Sequence, residues 1–115
     1  MHEWSVCEAL LGEVARIAAL RGSVVKVTVQ IGVLAGVNPG HLASAFGVMR
    51  RATCAADAAL VVESVGAVVR CLSCAAETRV LANCLICAEC GSLHTQVIAG
   101  EEMNLIRVEM VTRVH

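Results

Sequence analysis

The chain has 115 residues, nine basic and ten acidic, and a formal net charge of −1. That length holds one modest domain plus a short module and excludes two large domains. The balanced charge supplies no field for gathering nucleic acid or anionic lipid. Apolar residues make up 57% of the chain, yet there is one Trp, one Phe and no Tyr, so the core must be assembled from small aliphatic side chains.

The uncharged run 27–49 is interrupted by Gln30, Asn38, Pro39, His41 and several glycines, which argues against a membrane span. The start lacks the basic region and apolar stretch of a secretory signal. The expected setting is cytoplasmic, with neither membrane nor nucleic acid as a partner.

In chain order, Ser5 and Glu8 have the spacing of a capping box, which predicts a helix starting at Ser5. It would carry Val6, Leu10, Val14, Ile17 and Ala18 on its apolar face and stop at Gly22. Val25, Val27, Val29 and Ile31 then alternate with Lys26, Thr28 and Gln30, the period of a strand. Asn38 followed by Pro39 reads as a helix cap and first-turn proline, with Leu42, Ala45, Phe46 and Met49 at helical spacing and an end near Ala52. Residues 60–65 read as a second strand and 104–112 as a third, with Ile106, Val108 and Met110 sharing a face. The expected class is α+β: two helices packed on a three-stranded mixed sheet, with an inserted four-cysteine zinc-ribbon module. Residues 1–68 and 99–115 would form the main domain and 69–98 the module.

Seven cysteines in a reducing compartment point to metal or redox chemistry rather than to disulfides. Cys71 and Cys74 form one Cys-x-x-Cys pair, and Cys87 and Cys90 a second, separated by residues 75–86. Each pair can turn its thiolates toward one centre while turn amides donate to the sulfurs, and two such turns complete a tetrahedral S₄ shell. With no open position and no water-activating carboxylate nearby, that shell suits structural Zn(II), although iron accepts the same geometry. A thioredoxin-type dithiol is disfavoured because neither pair opens a helix after a strand. Cys84 and Cys87 also form a Cys-x-x-Cys pair; the later register is preferred because Gly91 supplies a tight-turn glycine, leaving Cys84 as a packed or free thiol. His94 could substitute as a ligand, but four cysteines suffice, and Cys7 and Cys54 read as core thiols.

At the amino terminus, Met1, His2 and Glu3 offer the terminal amine, backbone nitrogens and the His2 ring nitrogen to one ion. Nitrogen donors of this kind favour square-planar Ni(II) or Cu(II). A second-position histidine is also commonly no more than a solvated side chain.

These features occur in one order: His2-Glu3-Trp4-Ser5, Ile31-Gly32-Val33-Leu34 with Val37 and Pro39, Leu42 with Ala45-Phe46, the two cysteine pairs, and a final strand through Leu105-Ile106-Arg107-Val108-Glu109. Over essentially the whole chain the set resembles the HypA/HybF family of hydrogenase maturation nickel chaperones. The resemblance implies no catalysis. It implies Ni(II) as transferred cargo, with His2 as ligand together with backbone nitrogens of Met1, His2 and Glu3, and structural Zn(II) on Cys71, Cys74, Cys87 and Cys90. The implied partners are the GTPase HypB and the large subunit of [NiFe]-hydrogenase. Departures are Ala88, where the family usually has proline, and the additional Cys84.

Taken alone, the cysteine pairs would also fit a zinc-ribbon adaptor for a nucleic-acid or protein complex. Against nucleic acid, residues 69–98 contain only Arg70 and Arg79 as cations and no Phe, Tyr or Trp. An enzyme using Cys84 or Cys87 as nucleophile lacks an adjacent base. Monomer and homodimer are not distinguished by sequence.

Overall fold

A computed structural model of the chain describes residues 2–19 and 21–111. The first helix, α1 (His2–Ala18), opens at His2 rather than at the predicted Ser5 cap, which lies inside the helix and is exposed. Glu3 in the first turn complements the positive helix end without a hydroxyl cap. The buried stripe is Cys7, Leu10, Leu11, Val14 and Ala18, so it sits beside the predicted one: Val6 is only half-buried and Ile17 is exposed. The helix ends at Ala18, before the expected Gly22, and Ala19 turns the chain with a φ of 33°.

Strand β1 (Ser23–Gly32) follows and is the middle strand of the first sheet. Val24, Val27, Thr28, Val29 and Ile31 are all buried there, whereas Val25, expected to face inward, is exposed. The alternation therefore breaks at the Val24–Val25 pair, where two equal apolar residues compete for one inward position. Helix α2 (Pro39–Met49) begins as predicted: Pro39 occupies the first turn and the Asn38 side chain accepts from the His41 amide at 3.0 Å. It buries Leu42, Ala45 and Phe46 and runs into a short 3-10 turn, Arg50–Ala52.

Strands β2 (Ala59–Val65) and β6 (Met103–Val111) flank β1 in the order β2-β1-β6. Two helices on this three-stranded sheet give the expected α+β class. A second, unanticipated sheet lies between β2 and β6 in sequence: β3 (Ala67–Cys71), β4 (Glu77–Val80) and β5 (Thr95–Ala99), ordered β4-β3-β5. Both of its pairings are antiparallel, with Arg70 opposite Glu77 and Cys71 opposite Thr95, and the β3–β5 register shifts between Val68 and Val69. The Arg70 guanidinium donates to the Glu77 carboxylate at 2.7 and 3.1 Å across the β3–β4 pair.

The chain divides into two compact units. One comprises Met1–Val29, Val37–Glu63 and Asn104–His115; its largest fully buried side chains include Val14, Val24, Val27, Val29 and Leu42, each contributing roughly 1.5–3 kcal/mol by burial. The other comprises Gln30–Gly36 and Ser64–Met103 and contains both cysteine pairs. Within it Gly32 lies directly against the Gly100 backbone, its amide donating to Glu102 O at 2.8 Å while Leu34 donates to Gly100 O at 2.7 Å. Among the described residues, no helix is long and apolar enough to cross a membrane.

Candidate metal centre

Cys71 is the last residue of β3, and Cys74 follows on the turn that leaves it. Cys87 and Cys90 lie on a second turn before β5. The two turns repeat one another bond for bond. The Cys71 amide donates to Ala76 O at 2.9 Å and the Cys87 amide to Ser92 O at 3.0 Å; the Ala75 amide returns to Cys71 O at 3.0 Å and the Gly91 amide to Cys87 O at 2.9 Å. The Ser73 and Cys74 amides point at Cys71 Sγ, at 3.3 and 3.4 Å, and those of Glu89 and Cys90 serve Cys87 in the same way.

Folding these turns together leaves all four sulfurs within 4.8 Å of one another. Cys71 Sγ stands 3.5 Å from Cys90 Sγ and Cys74 Sγ 3.6 Å from Cys87 Sγ. A tetrahedral ion with metal–sulfur bonds of about 2.3 Å requires edges of about 3.8 Å, so the sulfurs already approximate the shell of a bound ion. All seven cysteines are free, and Cys71 and Cys87 are the buried members of the four.

Crowding four thiols splits their acidities. The Cys74 amide draws Cys71 down to about 6, with the Ser73 amide and neighbouring thiols adding to the pull and desolvation opposing it. The Cys90 amide likewise lowers Cys87. At Cys74 the Ala76 amide pulls downward, but desolvation and the bonds shared with Cys87, Cys71 and Cys90 prevail and push the thiol up to about 12. Cys90 is raised as well: the Ser92 amide lowers it, and contact with Cys71, desolvation and Cys87 outweigh that. The thiolate form is therefore favoured at Cys71 and Cys87 and disfavoured at Cys74 and Cys90, where a dication would have to displace protons.

Cys84 is outside this cluster. It is exposed and forms an isolated bridge with Leu81, its amide donating to Leu81 O at 3.0 Å. His94 is likewise exposed and outside the group of four. Ala88 has a use for the amide that proline would lack: it donates to Thr78 Oγ1 at 3.3 Å, joining the second turn to β4. Cys7 is fully buried, and burial raises its thiol; Cys54 is exposed rather than packed in a core.

Of the amino-terminal residues, Met1 lies outside the described residues, while His2 is exposed at the first position of α1. Glu3 is tied to the start of α2. Its Oε2 accepts the Asn38 amide at 3.1 Å, and its Oε1 stands 3.9 Å from His41 Nδ1. The Asn38 amide is the main reason its carboxyl is held below the usual range, with its own amide and the nearby His2 contributing. Glu3 and His41 also line an open recess of about 540 Å³ with Trp4, Ser44, Ala45 and Val48. Sequence periodicity gave His41 no role, because only the fold brings its turn of α2 to Glu3.

Comparison with known proteins finds similarity over nearly the whole chain. The model of a family described as HypA, a hydrogenase/urease nickel-incorporation metallochaperone, matches residues 1–110. The hydrogenase maturation factor HypA of Nitrosospira multiformis is 38% identical over 114 residues, covering 97% of this chain and 99% of the relative. That of Aquifex aeolicus is 38% identical over 112 residues, covering 96% and 97%. The solution structure of the Ni metallochaperone HypA from Helicobacter pylori superposes with a TM-score of 0.70 at 23% identity, covering 96% of this chain and 98% of that one. Another HypA solution structure gives 0.71 at 25% identity, covering 98% of both. With an amino-terminal histidine, an α+β fold and a four-cysteine metal site in the same chain, the protein belongs to the HypA family of hydrogenase maturation factors, which are nickel metallochaperones rather than enzymes.

Proposed function

We propose that this chain binds Ni(II) at its amino terminus and delivers it during [NiFe]-hydrogenase maturation, while Cys71, Cys74, Cys87 and Cys90 hold a structural Zn(II). The observation that carries the nickel assignment is the exposed His2 at the first position of α1. The first amides of a helix have no intrahelical acceptor, so backbone nitrogens there can turn to an ion without breaking the helix. His2 supplies a ring nitrogen, and Met1, His2 and Glu3 supply backbone nitrogens, a set suited to Ni(II). An exposed site of this kind can pass its ion to an acceptor.

The zinc assignment is supported by four thiols at near-tetrahedral spacing with turn amides aimed at their sulfurs. Bound there, the ion would tie β3 to the turn before β5 and take no part in catalysis. In this reading residues 1–68 and 99–115 handle nickel and 69–98 hold zinc, in the cytoplasm. The partners are the GTPase HypB and the hydrogenase large subunit. Nickel affinity of the native-start protein tests the site against His2→Ala and against a chain extended before Met1. Both changes are expected to abolish tight binding; undiminished binding in both overturns the assignment.

A further inference from the structure

The geometry points to His41 as a further nickel donor, its imidazole joining the ion held by the amino-terminal residues. This rests on the amino-terminal reading above and adds to it a ligand from a different helix.

Three contacts bring His41 to that end of α1. The Glu3 carboxylate is anchored by the Asn38 amide at 3.1 Å, and Asn38 Oδ1 in turn accepts the His41 amide at 3.0 Å. The free face of the same carboxylate stands 3.9 Å from His41 Nδ1. His2 and His41 therefore both adjoin Glu3, one through the peptide bond and the other across space. At 3.9 Å the ring nitrogen is beyond hydrogen-bond range of Oε1, so it is not committed to the carboxylate. The His41 side chain is 73% exposed, and it can turn toward an ion without leaving a packed position. The carboxylate between the two rings supplies negative charge that favours a dication.

The chemistry of the amino-terminal donors leaves a use for this ring. The Glu3 amide helps to hold its own carboxyl low, so giving up its proton to nickel withdraws that support from the carboxylate that accepts the Asn38 amide. A neutral imidazole from α2 binds without displacing an amide proton, and nitrogen donors of this type are favoured by Ni(II). Because it arrives from a separate element, it can also depart first. Nickel release can then begin without reprotonating a backbone nitrogen.

The test uses full-length, native-start protein titrated with Ni(II), read by the emission of Trp4, the only tryptophan, which lines the same recess as His41. Nickel-edge X-ray absorption supplies the number of imidazole ligands. The expected result is two imidazoles in the parent chain and one in His41→Ala, with affinity reduced at least about tenfold, the smallest loss typical even of a group that only orients a ligand. His2→Ala should lose the tight site altogether. If His2→Ala loses it while His41→Ala keeps the parent's imidazole count, this proposal fails and the amino-terminal site stands, whatever the affinity of His41→Ala. If His2→Ala keeps tight nickel binding, the amino-terminal reading itself fails.

Discussion

Ala75 and Gly91 occupy the same position in the two cysteine turns, each directly after the second cysteine of its pair and each with positive φ, 64° and 75°. Each also returns its amide to the carbonyl of the first cysteine, at 3.0 and 2.9 Å. Glycine takes this backbone region freely, whereas a Cβ there crowds the following carbonyl. The first turn therefore carries strain that the second avoids. Ala75→Gly should stabilise the module by about 1 kcal/mol and Gly91→Ala should destabilise it by about the same amount. Thermal unfolding of the metal-loaded protein would show the opposite signs. A loss of stability in Ala75→Gly would mean that the Ala75 methyl group makes a packing contribution larger than the backbone strain.

The split acidities of the four thiols predict that fewer protons leave when metal enters the folded cluster than when it enters an unfolded one. Cys71 lies near 6 and Cys87 is lowered, whereas Cys74 lies near 12 and Cys90 is raised. Near neutral pH a preformed cluster, with Cys71 already ionised, should release fewer protons per Zn(II) than the about four of an unfolded module. Calorimetric titration in buffers of different ionisation enthalpy counts them. The linkage has opposite signs at the two kinds of site. A lowered Cys71 contributes to metal-free stability fully above its ordinary value of 9.0, a contribution lost as pH falls through about 6. A raised Cys74 contributes below 9.0 and loses that contribution as pH rises through about 12. The metal-free cluster should accordingly be most stable near pH 9.

Gly32 marks a place where the second unit has no room for a side chain. A Cβ there would overlap the Gly100 carbonyl, and one on Gly100 would come within 2.9 Å of the Ala67 Cα. Backbone cannot rotate out of the way as a flexible side chain can. Gly32→Ala should cost about 2 kcal/mol or more, because it must part the bonds from Gly32 to Glu102 and from Leu34 to Gly100. Denaturant unfolding checks this, and a cost below about 0.5 kcal/mol, the range of ordinary surface changes, would show that the strand end yields.

How much of this was legible in the sequence depended on whether one signal stood alone. Asn38 and Pro39 form an unambiguous helix start, and two Cys-x-x-Cys pairs at close spacing have few uses besides one metal, so α2 and the cysteine cluster could be read directly. The stripe of α1 could not, because Val6 and Cys7, and Leu10 and Leu11, are adjacent apolar residues that fit two neighbouring faces. The same ambiguity at Val24 and Val25 hid the break in β1. The second sheet escaped because Glu77–Val80 is short and polar enough to pass for loop, and Ala67–Cys71 straddles the expected module boundary at residue 69. His41 had no sequence signal at all, since its relation to Glu3 spans the chain from α1 to α2 and exists only in the fold.

The clamp between Glu3 and Asn38 makes the last prediction. Glu3 is ionised in the fold and accepts the amide of the residue that caps α2, so its carboxyl is held below its ordinary value of 4.5, chiefly by that amide. For a lowered carboxyl the stabilising contribution is present above the ordinary value and disappears as pH falls through the folded one. Thermal scans at about pH 7 and about pH 3.5 should therefore show the parent losing stability on acidification. Glu3→Gln should be less stable at the higher pH and lose less on going to the lower one. Asn38→Ala is a separate perturbation of the same junction: it keeps the backbone amide that Glu3 uses but removes the cap on His41, and should cost about 1 kcal/mol at both pH values. If Glu3→Gln and the parent respond identically to acid, the carboxylate is not what holds α1 to α2, and the junction depends instead on the apolar contacts between the two helices.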